Sequence, residues 1–582
     1  MGYRDRTISY TIGSLSIVSV DGTRLILYTL LMKKARAKGK AAPESRRPRI
    51  SLSPRASALI LVGITIVLLL PFAGKAFNMD DPLFIWSAKH IQSHFADPYG
   101  FDVNWYGKLQ PMWKVTKNPP LICYYIALWA FVVGWSELAL HLAFLIPAIA
   151  CTLGIYFLAA KFCSRPFEAA LAAILTPVFL LSGTMVMCDV LMLTFWVWAA
   201  YLWIRGTEEN RHGLLALSMV LVTLSALTKY FGIALIPLLA AYSIASKKRP
   251  LWAIHLLIPI VVLAAYQFAT KSLYGHGLLS DAGQYGAWYR SQASTGGLPK
   301  FMTGLAFTGG CILTALFCAP LLWKRAGLII GLVIAGLAYG VFMPLRLFHE
   351  AEGCATLQLA LLFTAGTGVL TLAVQDFIKR RDALSLTLLL WIIGTFIFAS
   401  VLNWSVNGRS ILPMAPAAGI LIMRQIEKRK NISWHIYIPL ALAALASVLI
   451  ASADYQLAGS ARKAANQIAE SYGSEGRDIW LRRSLGVPVL HGVEGRQAYR
   501  LQEFQPEERR HSRHPVEQHK CARRRPGCAA ARGVARRLAS EAGDDGERGR
   551  RGLLLGHLGA ASVQNWPRAH RILRRLRSSL VR

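Results

Sequence analysis

Two adjacent carboxylates, Asp80 and Asp81, stand in the stretch NMDDPLFIWSAKHI (residues 78–91). They follow an apolar run, ALILVGITIVLLLPFAGKAF, whose only charge is Lys75. Neighbouring carboxylates repel each other, which raises the proton affinity of one and suits the pair to proton transfer. Asp81-Pro82 is also a good helix start, with Asp as the cap and Pro in the first turn. That use accounts for one acid and leaves the other open to function. The same segment, 75–118, holds Asp97, Asp102, Trp105, Trp113 and Lys117 and runs into NPPLICYYIALW. Acid, aromatic and lysine side chains at a membrane edge suit a sugar next to a phosphate.

Other charges lie at the ends of apolar runs. Arg409 is the strong cation of LNWSVNGRS (402–410). Its guanidinium can bind a phosphate bidentately or snorkel toward the interface. Lys229, beside Tyr230 between two apolar runs, offers the same two uses. Asp189 within an apolar segment is expensive, so it is functional, paired or a helix cap. His349, Glu350 and Glu352 in LFHEAEG form a polar loop that could touch substrate or metal, or simply be solvated. Of nine cysteines, Cys123, Cys151, Cys188, Cys311 and Cys318 fall in or beside apolar segments and act as small apolar residues. Cys521 and Cys528 lack zinc spacing. No metal site is indicated and no cofactor is required, although a divalent ion is compatible with the acids.

The elements that must position these groups are membrane helices. The 582 residues are 54% hydrophobic and 16% charged, with mean hydropathy +0.39. Apolar stretches of about 18 residues or more recur between Ala58 and Ala451, each able to cross a core of roughly 30 Å. In lipid such segments are helical, because their backbone groups must bond internally. Candidate spans lie near 57–74, 119–135, 138–160, 167–183, 187–204, 212–228, 230–246, 250–268, 303–322, 326–345, 353–374, 384–402, 411–423 and 434–453. Basic clusters at 247–249, 324–325, 379–381 and 424–430 alternate with the longer, Tyr- and Trp-bearing segments 270–300 and 402–410, which places the basic loops inside and the others outside. The net charge of +34 therefore marks topology rather than nucleic acid. Lys161 and Arg165 conflict with this alternation: either 119–135 or 138–160 does not fully cross, or that cluster breaks the rule, and thirteen crossings are expected over fourteen. The 75–118 loop is then outside, and apolar residues from Leu83 to Phe95 at helical spacing predict an amphipathic helix on it.

An acidic pair in the first outer loop, a PPL-type helix start and a long many-helix body resemble the GT-C glycosyltransferases, over roughly residues 57–455. The branch is the one similar to protein O-mannosyltransferases and the aminoarabinose transferase of lipid A (glycosyltransferase family 39 and relatives). The resemblance implies an all-α polytopic GT-C fold of about 13 transmembrane helices in the cytoplasmic (inner) membrane, with its active site on the outer, periplasmic face. It implies a transferase that moves a sugar from a polyprenyl-phosphate carrier to a lipid, glycan or protein acceptor. Asp80 matches the catalytic base, and Asp81 stands where relatives often have Glu. Asn118-Pro119-Pro120-Leu121 corresponds to the family's KPPL or HPPL element, with Asn in place of a basic residue and Lys117 one position earlier. Asp189 fits an Asp-before-Leu pattern, and Arg409 fits the R-x-x-L-P element near the donor phosphate. Lys117 and Lys229 join Arg409 as donor-phosphate ligands, with Asn118, Pro119, Asp189 and Tyr230 supporting the substrate site. A transporter or lipid flippase is the alternative, but no internal repeat appears and the acids gather at the boundary.

The flanks differ in character. Residues 1–56 read as a basic cytoplasmic arm, with 1–31 an over-extension upstream of a start at Met32. Residues 455–582 follow the last helix outside, and from Arg482 onward 22 Arg stand against one Lys, Lys520. Relatives of the resembled family often carry GHWGFQY after an Ile-Trp. Ile479-Trp480 here is followed by Arg483–Val489, and one permitted back-translation reads GHWGFQY one base forward. A frameshift near 482 is expected.

Overall fold

The computed structural model describes residues 9–12, 15–18, 53–77, 80–106, 109–247, 250–292, 297–345, 347, 352–429 and 434–472. The expected frameshift, most of the amino-terminal arm, His349 and Glu350 lie outside the described residues. The chain divides into two compact units, Met1–Ala56 and Ser57–Arg582. In the first, Ser9–Ile12 and Leu15–Val18 pair as an antiparallel hairpin. The second is a helical bundle carrying one short antiparallel ribbon, Asp102–Asn104 with Leu109–Pro111.

The chain is a polytopic all-helical membrane protein. Among the described residues, eight helices are long and apolar enough to cross a membrane, or nine if the bent pair Pro166–Ile174 and Pro177–Gly183 is one span. The count does not reach the expected thirteen; Leu121–Val133, His212–Thr228 and Tyr230–Ala245 are apolar but shorter. The 67° bend has a local cause. Pro177 keeps Thr176 extended, at φ −86° and ψ 146°. The same proline removes a backbone donor. The Thr176 hydroxyl then donates to the Ala173 carbonyl at 2.7 Å and accepts from the Phe179 amide at 3.4 Å, serving both broken ends.

Side-chain contacts sort the connecting loops of this unit into two ends. At one end Lys161 meets Glu208, Ser164 binds Glu427, Arg429 donates to the Trp323 carbonyl, and buried Arg424 reaches Asp376 at 3.1 Å. The basic junctions around 324, 379–381 and 424–429 thus come together, with Lys161 and Ser164 beside them. The two early spans differ in length. Leu121–Val133 has 13 residues, whereas Glu137–Phe162 has 26. The shorter helix rises only about 20 Å, against a core of roughly 30 Å. Both of its ends stay with the 75–118 segment. The Asn118 carbonyl accepts from the Tyr99 hydroxyl at 2.9 Å, and Lys89 lies 5.3 Å over the Trp135 ring.

The expected amphipathic helix forms as Asp81–Ser93. Its buried Phe84, Ile85, Ala88 and Ile91 pack with Ile122, Cys123, Ile126 and Ala127 of Leu121–Val133, in a cluster separate from the main bundle core. Its start departs by one residue from the sequence expectation. The cap position is Asp80, Asp81 is the first helical residue, and the Asp80 side chain makes no capping bond. A stronger partner has taken that carboxylate, as described below.

One seam of the bundle is set by absent side chains. A Cβ on Gly309 would stand 1.8 Å from the Leu362 carbonyl oxygen, and one on Gly366 would stand 1.9 Å from that of Leu305. Helices Gly297–Cys311 and Glu352–Arg380 therefore touch backbone to backbone, the small-residue packing that replaces the hydrophobic drive within lipid. Gly309→Val is expected to force them apart and cost about 1–3 kcal/mol, the usual range for overpacking. Thermal unfolding of the detergent-solubilised chain measures this; an unchanged midpoint would show that the seam yields freely.

Candidate functional site

A cavity of about 980 Å³ opens at the end of the bundle that carries the 75–118 segment. Asp80, Lys117, Asn118, Asp189, Lys229, Tyr230 and Arg409 all line it, drawn from positions far apart in sequence. Two expected residues are not in its wall. Asp81 is buried within the protein, so the adjacent acids part company, and Pro119 is buried beside the start of Leu121–Val133.

Local structure explains where the side chains point. Asn407 caps the short turn Gly408–Ile411 by accepting from the Ser410 amide at 2.9 Å, which fixes the backbone at Arg409. Arg409 Nη2 then donates to Asp80 Oδ2 at 2.8 Å, and its Nη1 donates to the Met187 sulfur. Burial pulls the Arg409 pKa down, but the negative charges of Asp80 and Asp189 outweigh it and raise the value above the usual one. Asp80 Oδ1 is in no hydrogen bond among the described residues and is left to the cavity.

The two lysines are also paired. Lys229 follows His212–Thr228 in extended conformation and reaches Asp189 at 2.5 Å, in the first turn of Cys188–Glu209. Lys117 reaches Asp281 at 2.5 Å and lies 5.3 Å from the centroid of the Tyr285 ring. Tyr230 shares a hydrogen bond of 3.0 Å with Tyr266. Burial pushes the phenols of Tyr106 and Tyr285 at the mouth above their ordinary pKa, so they are neutral donors at physiological pH and poor bases.

The segment before Asp80 is held from the far end of the sequence. Buried Lys75 binds Asp454 of the last described helix, Tyr437–Tyr472, and lies 3.4 Å from the Thr184 hydroxyl. The Phe77 amide donates to Glu137 at 3.1 Å, and Glu137 is bound in turn by Arg462 of that helix. Asp281, Asp454 and the aromatic residues of the mouth were missed as site residues in the sequence. Only the isolation of Lys75 in its apolar run and the Tyr and Trp content of 270–300 signalled them. Among the described residues no group of three or more His, Cys, Asp or Glu could hold a metal.

Beyond the charged groups the cavity runs along apolar walls: Leu181 of the bent pair, Phe307 and Gly310 next to the glycine seam, Leu359 and Leu362, and Ile450. One volume thus joins a polar, charged region to an apolar one.

Residues 117–274 match the family model described as dolichyl-phosphate-mannose-protein mannosyltransferase. The match takes in Lys117, Asn118, Asp189, Lys229 and Tyr230 and stops short of Asp80, Asp81 and Arg409. Among solved structures, the ArnT of Cupriavidus metallidurans bound to undecaprenyl phosphate is similar at 14% identity and a TM-score of 0.43, over 70% of this chain and 72% of that one. The oligosaccharyltransferase of Archaeoglobus fulgidus tethered with an acceptor peptide is similar at 14% identity and a TM-score of 0.43, over 74% and 59%. The arabinosyltransferase EmbB of Mycobacterium smegmatis gives 14% identity and a TM-score of 0.29 over 82% and 47%. No curated protein matches the chain in sequence. The helices define a multi-pass membrane protein, and over residues 117–274 its sequence is similar to the mannosyltransferase family model.

The Asp189–Lys229 pair gives a test of the site's electrostatics. Asp189→Leu strands a mostly buried ammonium and is expected to cost about 3–5 kcal/mol, most of it recovered in the double variant with Lys229→Met. Unfolding midpoints of the two variants check this; equal losses in both would show that the pair contributes as separate charges.

Proposed function

We propose that the chain is a membrane glycosyltransferase that moves a sugar from a polyprenyl-phosphate carrier to an acceptor hydroxyl or amine at the outer face of the cytoplasmic membrane. The observation that carries this is the single cavity in which a carboxylate–guanidinium pair, Asp80–Arg409, adjoins both further cations and an apolar extension. A phosphate on a hydrocarbon tail has that same division of polar and apolar parts.

In the reaction, Arg409 holds the carrier phosphate. A guanidinium has five N–H donors. Asp80 and Met187 occupy two of its nitrogens without using them all. Lys229 and Lys117 face the same volume and add positive charge near the leaving oxygen. Asp80 accepts the acceptor's proton through Oδ1 as the acceptor oxygen or nitrogen attacks the anomeric carbon. The new bond forms to that carbon while the bond from carbon to phosphate oxygen breaks, and its electron pair leaves with the carrier phosphate. A single displacement of this kind inverts the anomeric centre. Asp81, buried and outside the wall, shapes the start of the Asp81–Ser93 helix and so the position of Asp80.

Replacing Asp80 by Asn removes the base while keeping a similar shape, and transfer is expected to fall by about 10²–10⁴-fold. Labelled polyprenyl-phosphate sugars in purified membranes, followed by analysis of the product linkage, measure this. Arg409→Lys retains charge but loses the planar fork, and a weaker hold on the carrier phosphate is expected. Full transfer by Asp80→Asn at normal expression sinks the assignment of the base. Movement of the intact labelled lipid across the bilayer, with no new glycosidic bond, would instead indicate a flippase.

A further inference from the structure

The mouth of the cavity carries a feature that the transfer chemistry does not use. Tyr285 and Tyr289, one turn apart on the helix Leu278–Gln292, have ring centroids 4.6 Å apart. Trp404, from a different loop, closes on both, at 5.7 Å from Tyr289 and 6.4 Å from Tyr285. Tyr106 and Arg290 line the same opening. Tyr106 and Trp404 are exposed and Tyr285 and Tyr289 half-buried, in contrast to the buried Leu362 and Ile450 of the apolar walls.

We infer that this aromatic mouth is the acceptor subsite, and that the acceptor it takes is a saccharide. The inference rests on the transferase reading above and names the acceptor class within it. Three observations carry it. The apolar arm of the cavity suits the carrier tail, which leaves the exposed end for a water-borne partner. The exposed rings of Tyr106 and Trp404, backed by the half-buried Tyr289, match the C–H faces of a pyranose ring, to which aromatic rings contribute large contact area at little loss of side-chain freedom. Hydroxyl partners lie alongside: Arg290 has no carboxylate within ion-pair distance among the described residues and gives only one nitrogen to the Leu402 carbonyl. The neutral phenols of Tyr106 and Tyr285 add donors. A lipid acceptor without sugar would leave the remaining donors of Arg290 unmatched.

The test titrates the full detergent-solubilised chain with methyl glycosides of common hexoses and N-acetylhexosamines, observed by saturation-transfer NMR. A Ser/Thr-containing peptide and a sugar-free phospholipid serve as the other arms. At least one glycoside is expected to bind, and Trp404→Ala or Tyr289→Ala should weaken it about tenfold, with partial recovery in Trp404→Phe. Binding of undecaprenyl phosphate alone, measured in parallel, should stay within twofold in these variants, which also shows that they fold. Glycosides that fail to bind, or bind equally well to Trp404→Ala, overturn the subsite, as does selective binding of the peptide. Because the readout needs no turnover, it separates from the transfer assay. Transfer lost in Asp80→Asn but indifferent to Trp404 leaves the function and removes the subsite. Glycoside binding without transfer from any donor does the reverse.

Discussion

The Asp80–Arg409 ion pair spans 329 residues of sequence and is the contact around which the cavity is arranged. It joins the first polar segment after the opening helix to the turn that begins a late one. Each partner is set by its own local device: Arg409 by the Asn407 cap, and Asp80 by a helix start whose expected capping bond is not made. The competition at Asp80 is one of strength. Its carboxylate meets the guanidinium at 2.8 Å. It gains more there than from a backbone amide, because the guanidinium brings a full opposite charge where the amide offers only a dipole.

Much of this was legible in the sequence because it depends on composition and period. Long apolar runs specify helices in lipid, and the basic loops around 324, 380 and 424–429 meet at one end of the bundle. The amphipathic helix was read to within two residues at its start. The departures have physical reasons. The cap fell on Asp80 instead of the expected Asp81, which became the first helical residue and was buried. The span over 119–135 was ambiguous by hydropathy, and only its packing against Asp81–Ser93 shows that it stays at one end. Pairing was illegible altogether: Lys117, Lys229 and Lys75 were visible as cations, but nothing in spacing pointed to Asp281, Asp189 or Asp454 as their partners. Such pairs form between segments 40 to 379 residues apart, and tertiary structure alone selects them.

The cavity is also defined by what is rigid around it. The Gly309–Gly366 seam fixes one wall at backbone contact, and the bent pair at Thr176–Pro177 carries Leu181 into another. Lys75–Asp454 and Arg462–Glu137 tie the segment before Asp80 to the last described helix. A charged group in such a place needs a partner, because desolvation without one costs several kcal/mol. The pairs thus position the loop and let its charges be buried at the same time.

That pairing has a kinetic side. With Arg409, Lys229 and Lys117 each matched to a carboxylate, the resting cavity is close to neutral, and an arriving phosphodiester brings one negative charge. On the proposed reading, the carrier departs as a monoester bearing up to two. On that reading the cations at Arg409 and Lys229 hold the spent carrier more tightly than the loaded one, so the charge that helps the bond break also slows release of the lipid phosphate.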